Sequence, residues 1–233
     1  ASRAISTFSP LPAFSGIKID AKEDCLILTG SDSDVSIQTK LTKSEECVLE
    51  IRDMGSIVIE AKYILEIVRK IDADEIEFEM IDGSLTKISG NTAEFRINGM
   101  RANEYPAIDF SKPKECFALK EETLKKVILQ TSFATSDKET RPVLTGVNFH
   151  CEGNTLHCVA TDSYRLAKKT IDISESLNFN ITIPAKSLSE VVKTLEGEGE
   201  VEIAVNDKKA QFIIHDTIVQ TRLIDGVYPE TSR

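Results

Sequence analysis

The sequence predicts an α+β protein made of two copies of one domain, each with two helices packed on antiparallel sheet. Three observations carry this reading. Residues 1–37 lie over residues 131–167 without a gap: Ser2, Ala4, Ser6, Pro12, Gly16, Leu26, Asp32 and Ser33 meet Ser132, Ala134, Ser136, Pro142, Gly146, Leu156, Asp162 and Ser163. After a small gap the register returns, and Ile59, Ala61, Lys62, Glu66 and Val68 meet Ile183, Ala185, Lys186, Glu190 and Val192. Each copy closes on a Tyr-Pro pair, Tyr105-Pro106 and Tyr228-Pro229. A repeat of roughly 110–120 residues is a duplicated domain, not a solenoid unit.

The second copy gives the element order. Leu119 to Ala134 predicts a helix, with Leu119, Leu124, Val127, Ile128 and Phe133 as its periodic residues. Val143–Cys151 and Thr155–Ala160 read as strands around a Gly153-Asn154 turn, a two-residue hairpin signal. Arg165–Ile173 and Asn180–Ile183 read as two more strands. Ala185–Leu195 has helical spacing through Leu188, Val191, Val192 and Leu195. Val201–Val205, Ala210–Ile214 and Ile218–Leu223 supply the last strands. The first copy repeats this with a helix at Ala61–Ile71 and strands near Glu75–Met80, Thr86–Ile88 and Ala93–Ile97. It keeps only the tail of the leading helix, Ala1 to Ser6, so roughly 13 residues are expected ahead of Ala1. With no initiator Met, the chain is read as a fragment or trimmed product. The domains are expected at 1–111 and 116–233, with Lys112-Pro113-Lys114-Glu115 as linker.

Composition narrows the function. No apolar run approaches the roughly 18–20 residues that span a membrane. Five scattered cysteines (Cys25, Cys47, Cys116, Cys151, Cys158) suit reduced thiols in the cytoplasm better than a disulfide frame. No phosphate-loop or dinucleotide motif is present, so no cofactor is expected. The net charge of −10, from 28 Lys and Arg against 38 Asp and Glu, opposes the usual basic groove of a nucleic-acid binder. Nucleic acid is therefore either not a partner or held by something other than bulk attraction.

Two patterns invite chemistry and do not sustain it. A Gly153-Asn154 turn sets residue 150 opposite 157, which puts His150 and His157 on one face and Phe149, Cys151, Leu156 and Cys158 on the other. The four His and Cys side chains then cannot converge as a metal site must. Asp32 and Asp162 recur in Ser/Thr-Asp-Ser triplets with no nucleophile or base beside them, so they read as carboxylates capping nearby backbone. No catalytic residue is expected.

Differences between the copies are more informative. Thr161-Asp162-Ser163-Tyr164-Arg165-Leu166 shares a frame with Ser31-Asp32-Ser33-Asp34-Val35-Ser36. Only the second copy shows Tyr, Arg and Leu, residue types suited to an interface anchor. The helices also carry Lys62, Arg69, Lys70, Lys125, Lys126, Lys186 and Lys193 among glutamates. Most such cations are solvated helix face. The matched Lys62 and Lys186, however, open their helices, where the macrodipole prefers an anion.

Residues 139–147, Glu-Thr-Arg-Pro-Val-Leu-Thr-Gly-Val, and 159–167, Val-Ala-Thr-Asp-Ser-Tyr-Arg-Leu-Ala, resemble the bacterial sliding clamp family, the β subunit of DNA polymerase III. So do the closing 228–233 and Leu28-Thr29-Gly30-Ser31-Asp32-Ser33-Asp34. The resemblance covers the whole chain and corresponds to most of the first and all of the second of three family domains. It implies a DNA-clamp fold and a non-enzymatic processivity factor. Two full-length subunits would form a ring around duplex DNA, with sheets outside and helices lining the hole. Retention would be topological, which reconciles an acidic body with cations on inward helices. The seven helix cations are the expected DNA-facing set. The resemblance also implies a pocket between the second and third domains. It would take short motifs, bearing an amide side chain and apolar anchors, from DNA polymerase, the clamp loader and repair proteins. Its second-domain part would be Arg141, Leu144, Thr161, Ser163, Tyr164, Arg165, Leu166, Pro229 and Arg233. Leu144, Leu166 and Pro229 would form the floor, and the arginines the rim. Phe8 stands where some relatives have a DNA-contacting arginine, and Tyr164 where many have histidine. Without the third domain this chain is not expected to close a ring. The competing readings are a two-domain peptide-binding scaffold with no DNA role and an aspartate-dependent hydrolase.

Overall fold

The computed structural model describes residues 1–5 and 11–231. Ser6, Phe8 and Arg233, named above, and the last two positions of the closing 228–233 lie outside the described residues. The chain divides into two compact units, Ala1–Asp109 and Phe110–Arg233.

In the first unit, 3-10 turns at Ser2–Ala4 and Pro12–Ser15 precede strands β1 (Gly16–Ala21), β2 (Cys25–Ser31), β3 (Val35–Thr42) and β4 (Gly55–Glu60). Helix α1 (Ala61–Lys70) follows directly, then β5 (Glu77–Asp82), β6 (Leu85–Gly90), β7 (Ala93–Asn98), β8 (Met100–Arg101) and a 3-10 turn at Ala102–Glu104. Within the unit one antiparallel sheet runs β8-β4-β1-β2-β3 and a second runs β5-β6-β7. Alternation sends Ile17, Ile19, Ile57 and Ile59 inward to meet Ala61 and Ile64 of α1 and Ile88 of β6. In β5-β6-β7 the register lines up Phe78, Ile88 and Phe95. Ile88 is buried, while Phe78 and Met80 are 41% and 46% exposed.

The second unit repeats the plan. Its strands and helices are β9 (Glu115–Lys120), α2 (Glu121–Thr131), β10 (Gly146–Thr161), β11 (Leu166–Pro184), α3 (Ala185–Thr194), β12 (Glu200–Val205), β13 (Lys209–Ile214) and β14 (Thr217–Arg222). Turns at Ser132–Ala134 and Pro142–Thr145 stand 130 positions after their first-unit counterparts Ser2–Ala4 and Pro12–Ser15. Strands β9, β12, β13 and β14 form an antiparallel sheet, and β10 pairs with β11. Helix α2 touches strands of both groups, as does α3. The helices therefore rest against both groups of strands. The recurring Gly16/Gly146 has a steric cause: a Cβ on Gly146 would stand 2.6 Å from the Ile183 carbonyl oxygen, and one on Gly16 2.6 Å from Val58 Cγ1.

Two expectations need correction, and a third, the hairpin turn at Gly153-Asn154, stands. Leu119 and Lys120 are strand, so the helix expected from Leu119 begins at Glu121 and gives way to the 3-10 turn at Ser132. Glu115, read as linker, opens β9. The Gln211 amide donates to the carbonyls of Phe110 and Ser111 at 3.0 and 3.2 Å, which pins the chain just ahead of that strand. The strands expected on either side of Gly153-Asn154 both fall within β10, whose register against β11 jumps between Gly153 and Thr155. Gly153 has φ +61°, and the His150 and His157 rings lie 6.4 Å apart. Seven residues of straight strand would separate them by about 23 Å, so the chain doubles back at Gly153-Asn154. Phe149, Cys151, Leu156 and Cys158 are buried on the face away from the histidines, and burial pushes the Cys158 thiol far up.

Helix α2 is fixed at its start by a carboxylate. Glu121 is fully buried. Its Oε2 accepts the backbone N–H of Glu196 at 2.8 Å and of Gly197 at 2.7 Å, while His215 Nε2 stands 3.1 Å from Oε1. An acid in the first turn suits the macrodipole, and the two accepted bonds tie α2 to the loop after α3. Glu121→Ala is expected to destabilise the second unit by about 1–3 kcal/mol, with Glu121→Gln milder because one acceptor remains. Urea denaturation followed by circular dichroism checks this.

Candidate functional site

The loop joining β10 to β11 is built by its own polar side chains. Asp162 Oδ1 accepts the backbone N–H of Tyr164 at 2.9 Å and of Arg165 at 3.0 Å. Thr161 Oγ1 donates to the Arg165 carbonyl at 2.7 Å and accepts from the Ser163 N–H at 3.1 Å. These bonds hold Ser163 at φ +79°, a region a non-glycine residue enters at some cost. The Thr161 N–H donates to the Tyr228 hydroxyl at 2.9 Å, so the closing Tyr-Pro pair is fastened to the loop.

The first unit carries the same frame. Asp32 Oδ1 accepts from Asp34 and Val35 at 3.1 and 2.8 Å, Ser31 Oγ donates to the Val35 carbonyl, and Ser33 has φ +84°. The buried Tyr105 hydroxyl faces the Ser31 backbone, and burial pushes its pKa up to about 12. Both aspartates are thus committed to backbone capping. The Tyr164 and Arg165 N–H groups hold the Asp162 carboxyl below the usual range.

The frames present different side chains. Val35 and Ser36 are buried, whereas Tyr164 is 97% exposed and Leu166 49%. Arg165 Nε donates to Asp162 Oδ2 at 3.0 Å, and its guanidinium carbon lies 5.8 Å from the centre of the Phe133 ring. Arg141 Nη1 donates to Ser163 Oγ at 3.2 Å, and the Leu144 N–H donates to the Arg141 carbonyl at 3.0 Å. Pro229, half-buried, follows the fastened tyrosine. The described members of the expected peptide set are thus gathered around one loop. Leu144 is only 2% exposed. Arg233 lies outside the described residues. Phe133, expected in a buried helical stripe, is 59% exposed beside Arg165, and sequence reasoning missed it.

The seven helix cations are all exposed. Helices α1 and α3 match residue for residue at an offset of 124, so Lys62 and Arg69 correspond to Lys186 and Lys193, one stripe two turns long in each. Many have acidic partners: Lys62 with Glu60 at 3.0 Å, Lys70 with Glu66 at 3.8 Å, Lys126 with Glu122 at 2.7 Å and Lys193 with Glu190 at 2.7 Å. Arg69, Lys70 and Lys193 occupy last turns, where the macrodipole favours cations. Lys62, at the unfavourable end, is offset by Glu60 and lies 4.6 Å from the Tyr63 ring centre. Among the described residues no group of three or more His, Cys, Asp or Glu converges as a metal site, and no helix is long and apolar enough to cross a membrane.

Comparisons with known proteins agree along the chain. The family profile of the DNA polymerase III beta subunit, N-terminal domain, matches residues 1–109, and that of its central domain matches residues 118–230. The beta sliding clamps of Bacillus subtilis and Halalkalibacterium halodurans are each 40% identical over 99% of this chain. The crystal structure of the Bacillus subtilis DNA polymerase sliding clamp superposes with a TM-score of 0.95 at 37% identity over 99% of the chain. The chain spans 62% of the length of each of these relatives.

The depressed Asp162 carboxyl has a testable consequence. Its capping bonds are present above the ordinary aspartate value of about 3.9 and are lost as pH falls through the lower folded value. In an NMR titration the Tyr164 and Arg165 amide resonances are expected to move together, with a midpoint below that ordinary value. A midpoint at or above it contradicts the capping geometry.

Proposed function

The chain belongs to the DNA polymerase III beta-subunit family, and on that premise we propose that it works as part of a sliding clamp, a non-enzymatic processivity factor in the cytoplasm. In the full-length protein, two subunits form a ring around duplex DNA and tether DNA polymerase, the clamp loader and repair proteins through short linear motifs. The loop at 161–166 carries this reading. Its rigid frame recurs in the first unit, yet only here does it expose Tyr164, Arg165 and Leu166. A fixed backbone presenting an arginine fork and apolar surface suits an extended peptide with an amide and leucines, because the pre-ordered loop loses little entropy on binding.

Topological retention supports the DNA part. A net charge of −10 argues against tight phosphate binding, while exposed cations on α1 of the first unit, and on α2 and α3 of the second, suit helices that tolerate a duplex. The domains are read as 1–111 and 116–233, and Lys62, Arg69, Lys70, Lys125, Lys126, Lys186 and Lys193 as facing DNA. Both aspartate carboxylates cap backbone, which leaves a hydrolase without its acid or base.

Two measurements test this function. Arg165→Ala and Leu166→Ala are each expected to weaken binding of a fluorescein-labelled peptide of one glutamine with alternating serine and leucine by about tenfold, at hot-spot strength, with the fold unchanged by circular dichroism. Unaltered affinity in both would remove the pocket. Full-length protein loaded on nicked circular plasmid is expected to stay bound and to slip off once the plasmid is cut. Equal retention on both forms, or on neither, would favour a scaffold without a DNA role.

A further inference from the structure

Phe133 has no task in the core. It lies in the 3-10 turn that ends α2, is 59% exposed, and follows Leu129, 55% exposed, by four residues. Its ring neighbours Arg165, whose guanidinium carbon stands 5.8 Å from the ring centre, within cation–π range.

The duplication supplies an internal control. At an offset of 130, Phe133, Tyr164, Arg165 and Leu166 correspond to Arg3, Asp34, Val35 and Ser36. The loop frame is the same in both units, down to the positive φ of Ser33 and Ser163. The copy with valine in place of Arg165 has no aromatic in place of Phe133. The ring and the guanidinium occur together, and nothing in the shared frame demands either.

The rest of Arg165 is already held. Its N–H and Nε bond to Asp162, and its carbonyl accepts from Thr161. The outer end of the guanidinium, carrying Nη1 and Nη2, is what a peptide carbonyl or amide oxygen would meet. Asp162 fixes the inner edge only. A ring beside the planar group restricts rotation about that edge, so the outer donors keep one direction before a ligand arrives.

We propose that Phe133 is a positioning residue of the peptide site, holding the Arg165 guanidinium in its docking orientation. This rests on the pocket reading above and extends it to a residue outside the loop.

A double-substitution cycle with the glutamine-leucine peptide tests it. Phe133→Leu, which keeps bulk and apolarity but removes the ring, is expected to weaken binding about two- to fivefold, and Phe133→Trp and Phe133→Tyr to restore it. In an Arg165→Ala background, Phe133→Leu is expected to add nothing. In the free protein, the Arg165 side-chain resonances are expected upfield from the ring current, and to move downfield in Phe133→Leu. Full additivity of the two substitutions, or no effect of Phe133→Leu where Arg165→Ala weakens binding, overturns the positioning role and leaves the pocket standing. Failure of both Arg165→Ala and Leu166→Ala to weaken binding overturns the pocket itself, and the role of Phe133 with it.

Discussion

A carboxylate that accepts two successive backbone N–H groups at the end of a strand is the constraint on which the rest of this site depends. Asp162 does this for Tyr164 and Arg165, and Asp32 for Asp34 and Val35. The bonds offset the cost of a positive φ at Ser163 and Ser33 and end one strand in step with the start of the next. Because the frame uses only Thr or Ser, Asp and backbone, the side chains between are free to diverge. In one unit Val35 and Ser36 are buried, and in the other Arg165 and Leu166 face solvent. The Tyr228 hydroxyl adds a long-range lock, reaching the Thr161 N–H from 67 positions away.

Much of this was legible in the sequence. The repeat located both Ser/Thr-Asp-Ser frames, and comparison of the copies singled out Arg165 and Leu166. Helices α1 and α3 were readable from their apolar spacing, and Gly153-Asn154 from turn chemistry. The start of α2 was not readable. Lys120 at its N-cap offers no capping side chain, and Leu119 continues the apolar spacing backward into a strand. Phe133 was misread for a geometric reason. The turn at Ser132–Ala134 is 3-10, which advances about 120° per residue against about 100° in an α-helix. Ala134 takes the buried position, and Phe133 turns outward.

Other features were hidden because they depend on contacts distant in sequence. The Tyr-Pro repeat showed that the tyrosines mattered but not what their hydroxyls meet. Glu121 read as one more acid on a charged helix, yet it is fully buried and holds the loop at Glu196-Gly197. No local pattern identifies a carboxylate whose partners lie 75 and 76 residues downstream. The acidic sum hid the pairing on the helices, since net charge does not say which cations have neighbours.

That pairing bears on motion. A lysine already held by a glutamate, as Lys126 is by Glu122 and Lys193 by Glu190, gives a passing phosphate only the difference between two ion pairs, and exposed pairs are worth roughly 0–1 kcal/mol each. On the proposed reading, a duplex moving past such a surface crosses shallow, closely spaced minima. The ring would then diffuse along DNA with little friction, because the glutamates smooth the potential that bare lysines would roughen.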